Sequence, residues 1–193
     1  MSDDQMHGHR LRRLPREYYQ GDAVVHWTQS IQARGCGWLT PALHLRFREL
    51  LLHVGVREGL LCPSYTLMED HIHLVWMGLR RRTDQLRAIA FLRTHLEPEL
   101  SPWRFQHQSH DHVLRAVQRD RGAFQNACSY ILENPVRAGY VENARDWLFQ
   151  GALIPGFPSL DPRGGRYWER FWPIYWNQLE ADAGTIPRPP WGL

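Results

Sequence analysis

The chain contains no lysine: all 23 of its basic residues are arginine, set against 20 acidic ones for a formal net charge of +3. So small an excess does not by itself identify a nucleic-acid binder. The guanidinium at every basic position favours planar, bidentate contact with phosphate or carboxylate, although a GC-rich genome whose codons favour arginine gives the same bias. Cysteine is scarce as well. Cys36, Cys62 and Cys128 are far apart, odd in number and form no CxxC pair, which argues against a disulfide framework or a zinc knuckle and fits a reducing cytoplasm. No run approaches the roughly 18 apolar residues of a membrane span. Residues 1–14 are polar, with no hydrophobic signal core, so the expectation is a soluble, cytoplasmic protein without membrane contact. No internal repeat is visible. What the chain does have is 43% apolar residues and nine tryptophans in 193 positions, enough for one buried core and too little for several domains.

Three regions differ in composition. Residues 1–20 read as a basic leader, with Arg10, Arg12, Arg13 and Arg16 around Pro15 and no strand or helix period. Residues 21–149 read as the main domain. Over 23–31 the chain alternates, with Val25, Trp27, Gln29 and Ile31 on one face and Val24, His26, Thr28 and Ser30 on the other, which predicts a strand. Thr40 and Pro41 open a helix carrying Leu43, Phe47, Leu50, Leu51 and Val54, with Gly55 as a candidate end. The runs 60–68 and 72–77, with Glu69-Asp70 between them, predict an antiparallel hairpin, and Pro63 predicts an irregular start or an edge position for its first strand. Thr83-Asp84 opens a second helix that closes near Pro98; 103–115 reads as extended; a third helix covers 121–133 and stops before Pro135.

This order predicts an α+β fold, a ferredoxin-like antiparallel sheet with helices on one face and a third helix added. Residues 150–193 read as an aromatic and Pro-rich C-terminal extension. Trp168, Phe171, Trp172, Tyr175 and Trp176 fall at helical spacing there despite Pro173.

Two side-chain patterns carry chemistry. His71 and His73 flank Ile72 in a predicted strand, so both imidazoles face the same side about 7 Å apart along the chain and can hold one metal ion while Ile72 points to the core. Eleven histidines make such spacing common by chance, and a second such pair, His110 and His112, stands nearby. A cupin reading fails because the first acid after His73 is Asp84 and the first glutamate Glu97. On the third helix Tyr130 and Asn134, four positions apart, share a face beside the apolar stripe. Together these residues make a reaction: a divalent ion held by His71, His73 and the amide oxygen of Asn134 can polarise a phosphodiester while the phenol of Tyr130 attacks phosphorus. The energy of the broken bond is then kept in a phosphotyrosine link that a free 3′-hydroxyl can reverse on another strand.

These residues lie in two stretches with a family resemblance. YTLMEDHIHLVW resembles the His-hydrophobic-His strand of the single-tyrosine HUH transposases of the IS200-like kind, and SYILENPVRAGYVENARDW resembles their catalytic-helix signature, most of all that of the REP-associated tyrosine transposases; SHDHVLR between them is similar too. The resemblance runs over 24–147. It implies an HUH nuclease fold in a prokaryotic cytoplasm that binds hairpin-bearing single-stranded DNA and cleaves it with Mg2+ or Mn2+. It also implies Tyr130 as the nucleophile forming a 5′-phosphotyrosine, with His71, His73 and Asn134 as metal ligands, in a monomer or homodimer. Where the family turn before the histidines is Pro-Asn, this chain has Glu69-Asp70, two acids beside the metal strand. His110 and His112 then read as structural or DNA-facing. Arg137 after the helix, and Arg80, Arg81 and Arg82 after the metal strand, are candidate DNA contacts. A replication-initiator or relaxase-type HUH nickase shares the metal strand and tyrosine chemistry, but the NPVRAG context and the small size favour the transposase. A domesticated protein that grips hairpins without cutting them is the alternative of another class.

Overall fold

Residues 24–30 form the strand that their alternation requires, and its neighbours explain both of its faces. The structure is a computed structural model and describes residues 13–115, 118–119 and 121–179. Arg10 and Arg12 of the leader and the Pro-rich end at 180–193 lie outside the described residues. Five strands, β1 (Val24–Ser30), β2 (Leu60–Leu67), β3 (His71–Gly78), β4 (His110–Val113) and β5 (Gln150–Leu153), form one antiparallel sheet in the order β4-β1-β3-β2-β5.

One face is built from Val25 and Trp27 of β1, Tyr65 and Leu67 of β2, and Ile72, Leu74 and Trp76 of β3. It is covered by helices α1 (Pro41–Glu58) and α2 (Gln85–Leu96) through Phe47, Leu51, Val54, Ile89 and Leu92. Local sequence sets both helix starts. The Thr40 hydroxyl accepts from the Leu43 amide at 3.1 Å, and Asp84 accepts from the amides of Leu86 and Arg87 at 3.0 and 3.2 Å. Helix α1 runs through Gly55 and stops at Gly59, whose φ of +67° is the left-handed conformation a helix end uses.

The second face carries Val24, Leu61, Val75 and Met77. Over them lie α3 (Arg121–Leu132), with Phe124, Cys128 and Ile131, and α5 (Tyr167–Gln178), with Tyr167, Phe171, Trp172 and Tyr175. Thus residues 150–179, set apart on composition, supply an edge strand and a covering helix to the same sheet. Pro63 does not put β2 at an edge: β2 is paired on both sides, and the register shifts around Pro63 because proline has no amide to donate. The Pro63 carbonyl accepts from the Tyr167 hydroxyl at 2.8 Å, which fastens α5 to the bulge. The extended reading of 103–115 survives as β4 and as an isolated antiparallel bridge between Phe105 and Ile31. Among the described residues no helix is long and apolar enough to cross a membrane.

Candidate nuclease site

Strand alternation puts Ile72 into the α1/α2 core and turns His71 and His73 to the opposite face, the one that α3 covers. Their Nε2 atoms stand 3.0 Å apart. Two nitrogens bound at about 2.1 Å on adjacent corners of an octahedron are separated by about 3.0 Å, so the pair fits a divalent ion. Both outer nitrogens are engaged. His71 Nδ1 lies 2.5 Å from Asp70 Oδ1, and His73 Nδ1 lies 3.0 Å from Thr28 Oγ1 and 3.1 Å from His26 Nε2. Burial, reinforced by the charges of His71, His26 and Arg137, lowers the pKa of His73 to about 3. Burial and His112 lower that of His26 to about 4. Near neutral pH both rings are uncharged, the form a metal requires.

The second histidine pair arrives on the same face two strands away. His112 is the β4 register partner of His26, and His110 that of Thr28, the residue opposite His73 in β3. His112 Nε2 lies 3.0 Å from Gln118 Nε2. Local sequence assigns Thr28 and His26 to one face of β1, but only the register of β1 against β3 brings them to His73.

Tyr130 sits near the end of α3 with its side chain turned out, the residue being 58% exposed. Asn134 is not on an unbroken continuation of that helix: α3 ends at Leu132, and a separate turn, α4 (Asn134–Arg137), follows. Pro135 is the cause, since it cannot donate to the Ile131 carbonyl. That carbonyl accepts instead from Thr66 Oγ1 at 3.1 Å. Because Thr66 is the register partner of His73, this bond ties the tyrosine helix to the strand beside the histidines. Gly139, at φ +76°, closes α4, and the Tyr140 amide donates back to the Pro135 carbonyl at 2.9 Å.

Arg137 joins the pieces. Its guanidinium carbon lies 3.6 Å from the centroid of the Tyr130 ring, and one terminal nitrogen donates to Asn134 Oδ1 at 2.7 Å and to the Tyr130 carbonyl. Its charge is one of those that lower His73. Asn134 Nδ2 is buried without a hydrogen-bond partner, while Oδ1, the atom that could face a metal ion, accepts from Arg137. Among the described residues no group of three or more His, Cys, Asp or Glu side chains is arranged to hold a metal ion. An ion on His71 and His73 therefore needs ligands beyond those residue types: an amide oxygen, water or a phosphate of the substrate.

Arg80, Arg81 and Arg82 are not at this end of the sheet. They follow Gly78, seven residues along β3 from His71, a distance of about 23 Å at 3.3 Å per residue. There Arg82 lines a cavity of about 290 Å³ with Arg57, Glu58 and Arg87.

No family model and no curated protein matches the sequence. A solved structure described as a REP-associated tyrosine transposase bound to a REP hairpin is similar in fold, with a TM-score of 0.60 and 19% identity over 72% of this chain and 82% of that one. At that identity the likeness establishes the architecture, an open five-stranded antiparallel sheet with helices.

Proposed function

We propose that this chain is a transposase-type nuclease that cleaves and rejoins hairpin-bearing single-stranded DNA through a 5′-phosphotyrosine on Tyr130. The observation that carries this reading is the pair of Nε2 atoms 3.0 Å apart on the sheet face beneath the helix that bears an exposed tyrosine. The structural neighbour holding a hairpin supports the choice of substrate.

His71, His73 and Asn134 would hold Mg2+ or Mn2+, which supplies polarisation of the phosphodiester and neutralises charge on the departing oxygen. Tyr130 Oη forms the new bond to phosphorus, its proton passing to solvent, while the bond from phosphorus to the 3′-oxygen breaks and that oxygen takes up a proton. Rejoining is the reverse, with a free 3′-hydroxyl attacking the phosphotyrosine. Arg137, which stands against Tyr130 and Asn134, would meet the phosphate.

The experiment is incubation of labelled single-stranded oligonucleotides from the DNA flanking the gene with Mg2+ or Mn2+, read on a denaturing gel. A covalent band that needs the metal and disappears in Tyr130→Phe and in His71→Ala is expected. Tight hairpin binding with no such band would replace this reading with a binder that does not cut.

A further inference from the structure

We infer that Asp70, restrained by Arg34, is a positioning residue for His71, fixing the ring with its proton on Nδ1 and its Nε2 lone pair toward His73. The inference rests on the metal site proposed above and concerns two residues outside the ligand set.

The Asp70 carboxylate is engaged at both oxygens. Oδ1 meets His71 Nδ1 at 2.5 Å and Oδ2 accepts from an Arg34 terminal nitrogen at 2.5 Å. The Asp70 carbonyl also accepts from the Ile31 amide at 2.9 Å, which fixes the turn to the end of β1. A carboxylate accepting from Nδ1–H leaves Nε2 as the free donor atom, aligns the ring and makes that nitrogen a stronger ligand. His73 is treated alike, with Thr28 and His26 at its Nδ1.

Arg34 is delivered at a conformational cost. Ala33 and Arg34 stand at φ +53° and +54°, in a region unfavourable for residues with a Cβ. Strained backbone of this kind persists where surrounding structure holds it, and it concentrates at functional sites. Here its effect is to bring an exposed guanidinium onto Asp70. The Glu69-Asp70 turn thus sets a charged acceptor at the residue before the first histidine.

The test is Mn2+ binding to the full chain by titration calorimetry, together with 15N NMR of the His71 ring in metal-free protein. Asp70→Ala should weaken Mn2+ binding by about 10- to 100-fold and release the ring from the Nδ1–H form, and Asp70→Asn, which keeps an acceptor, should recover most of the affinity. Arg34→Ala, at an exposed position, should weaken binding by about three- to tenfold and keeps the test decisive should Asp70→Ala fail to fold. Wild-type affinity in Asp70→Ala or in Arg34→Ala, Asp70→Asn as damaging as Asp70→Ala, or a wild-type His71 ring protonated on Nε2 would overturn the inference. His71→Ala separates the two readings. Abolished Mn2+ binding there alongside an intact Asp70→Ala removes only the positioning role, whereas undiminished Mn2+ binding in His71→Ala removes the metal site itself.

Discussion

The guanidinium carbon of Arg137 stands 3.6 Å from the centroid of the Tyr130 ring, over its face, and at the same time one terminal nitrogen donates to the amide oxygen of Asn134. One cation thus holds the proposed nucleophile and the proposed third ligand in a fixed relation. Removing it costs the fold little, since a cation–π contact at an exposed site is worth about 0.5–1 kcal/mol. Arg137→Ala should therefore slow formation of the covalent adduct by about tenfold or more while shifting thermal unfolding by only a few degrees. Arg137→Lys should not restore the rate, because an ammonium has no planar fork to lie on the ring and reach Asn134 together. Single-turnover adduct formation beside a melting curve checks this, and a wild-type rate in Arg137→Ala would remove Arg137 from the site.

Arg80, Arg81 and Arg82 lie at the opposite end of β3 from His71, so any role in DNA binding must involve nucleotides remote from the proposed point of cleavage. Arg81→Ala with Arg82→Ala should leave cleavage of a short single strand unchanged. On a long hairpin the same variant should bind more weakly and lower the slope of log K against log salt by about 0.7–0.9 for each phosphate that is no longer neutralised. Equal cleavage of short strands with an unaltered salt slope on long hairpins would show that these arginines do not touch DNA.

Most of the fold is legible where one residue pattern decides one element. The alternation over 23–31 yields Val24–Ser30, the Thr40-Pro41 and Asp84 starts both cap real helices, and Glu69-Asp70 does join two strands. The His71/His73 pair is legible because the strand period alone puts both rings on one side. What local sequence does not carry is register and tertiary rescue. His26 and Thr28 reach His73, and His112 reaches His26, only through pairing across β3, β1 and β4. The relation between Tyr130 and Asn134 is altered by Pro135, whose missing amide breaks the helix and whose consequence is repaired from Thr66, 65 residues away from Ile131. Strand β5 is four residues long and pairs with β2 across the register shift around Pro63, a pairing that its own short sequence does not announce.

On the α1 side of the sheet His44 Nε2 lies 2.9 Å from the Tyr65 hydroxyl, which accepts from Arg48 at 2.6 Å. The hydroxyl therefore donates to a neutral imidazole. Burial, with the charges of Arg48 and Arg163, lowers the His44 pKa to about 4 from an ordinary 6.5. Because the folded value is the lower one, protonation favours the unfolded chain. The contribution of His44 is complete above pH 6.5 and is lost as the pH falls toward 4. By pH 5 that loss is about 1–2 kcal/mol. His26 and His73, lowered to about 4 and about 3, add to it in the same window. His44→Gln keeps an acceptor that does not titrate, so urea unfolding at pH 7, 6 and 5 should show a shallower decline than in wild type. Parallel declines would mean that His44 is not held neutral by the fold.

Helix α5 is the test of whether the sheet can do without its C-terminal cover. Phe171 is fully buried between Tyr167 and Tyr175 in the core of the second face, the same core that includes Phe124 and Cys128 of the tyrosine helix. Truncating a buried aromatic leaves a cavity that a packed interior does not refill, so Phe171→Ala should cost about 3–5 kcal/mol. Tyr167→Phe removes only the bond to the Pro63 carbonyl and should cost about 1 kcal/mol, slightly more if that carbonyl stays dry. The functional consequence follows from shared packing: α3 rests against Trp168 and Trp172 of α5 through Phe124. Loosening α5 should thus raise hydrogen exchange along α3 and lower adduct formation by Tyr130, while a chain cut after residue 149 should not give a cooperative unfolding transition. If that shortened chain instead melts cooperatively and still forms the adduct, α3 is held by the sheet alone and the aromatic helix serves something other than the site.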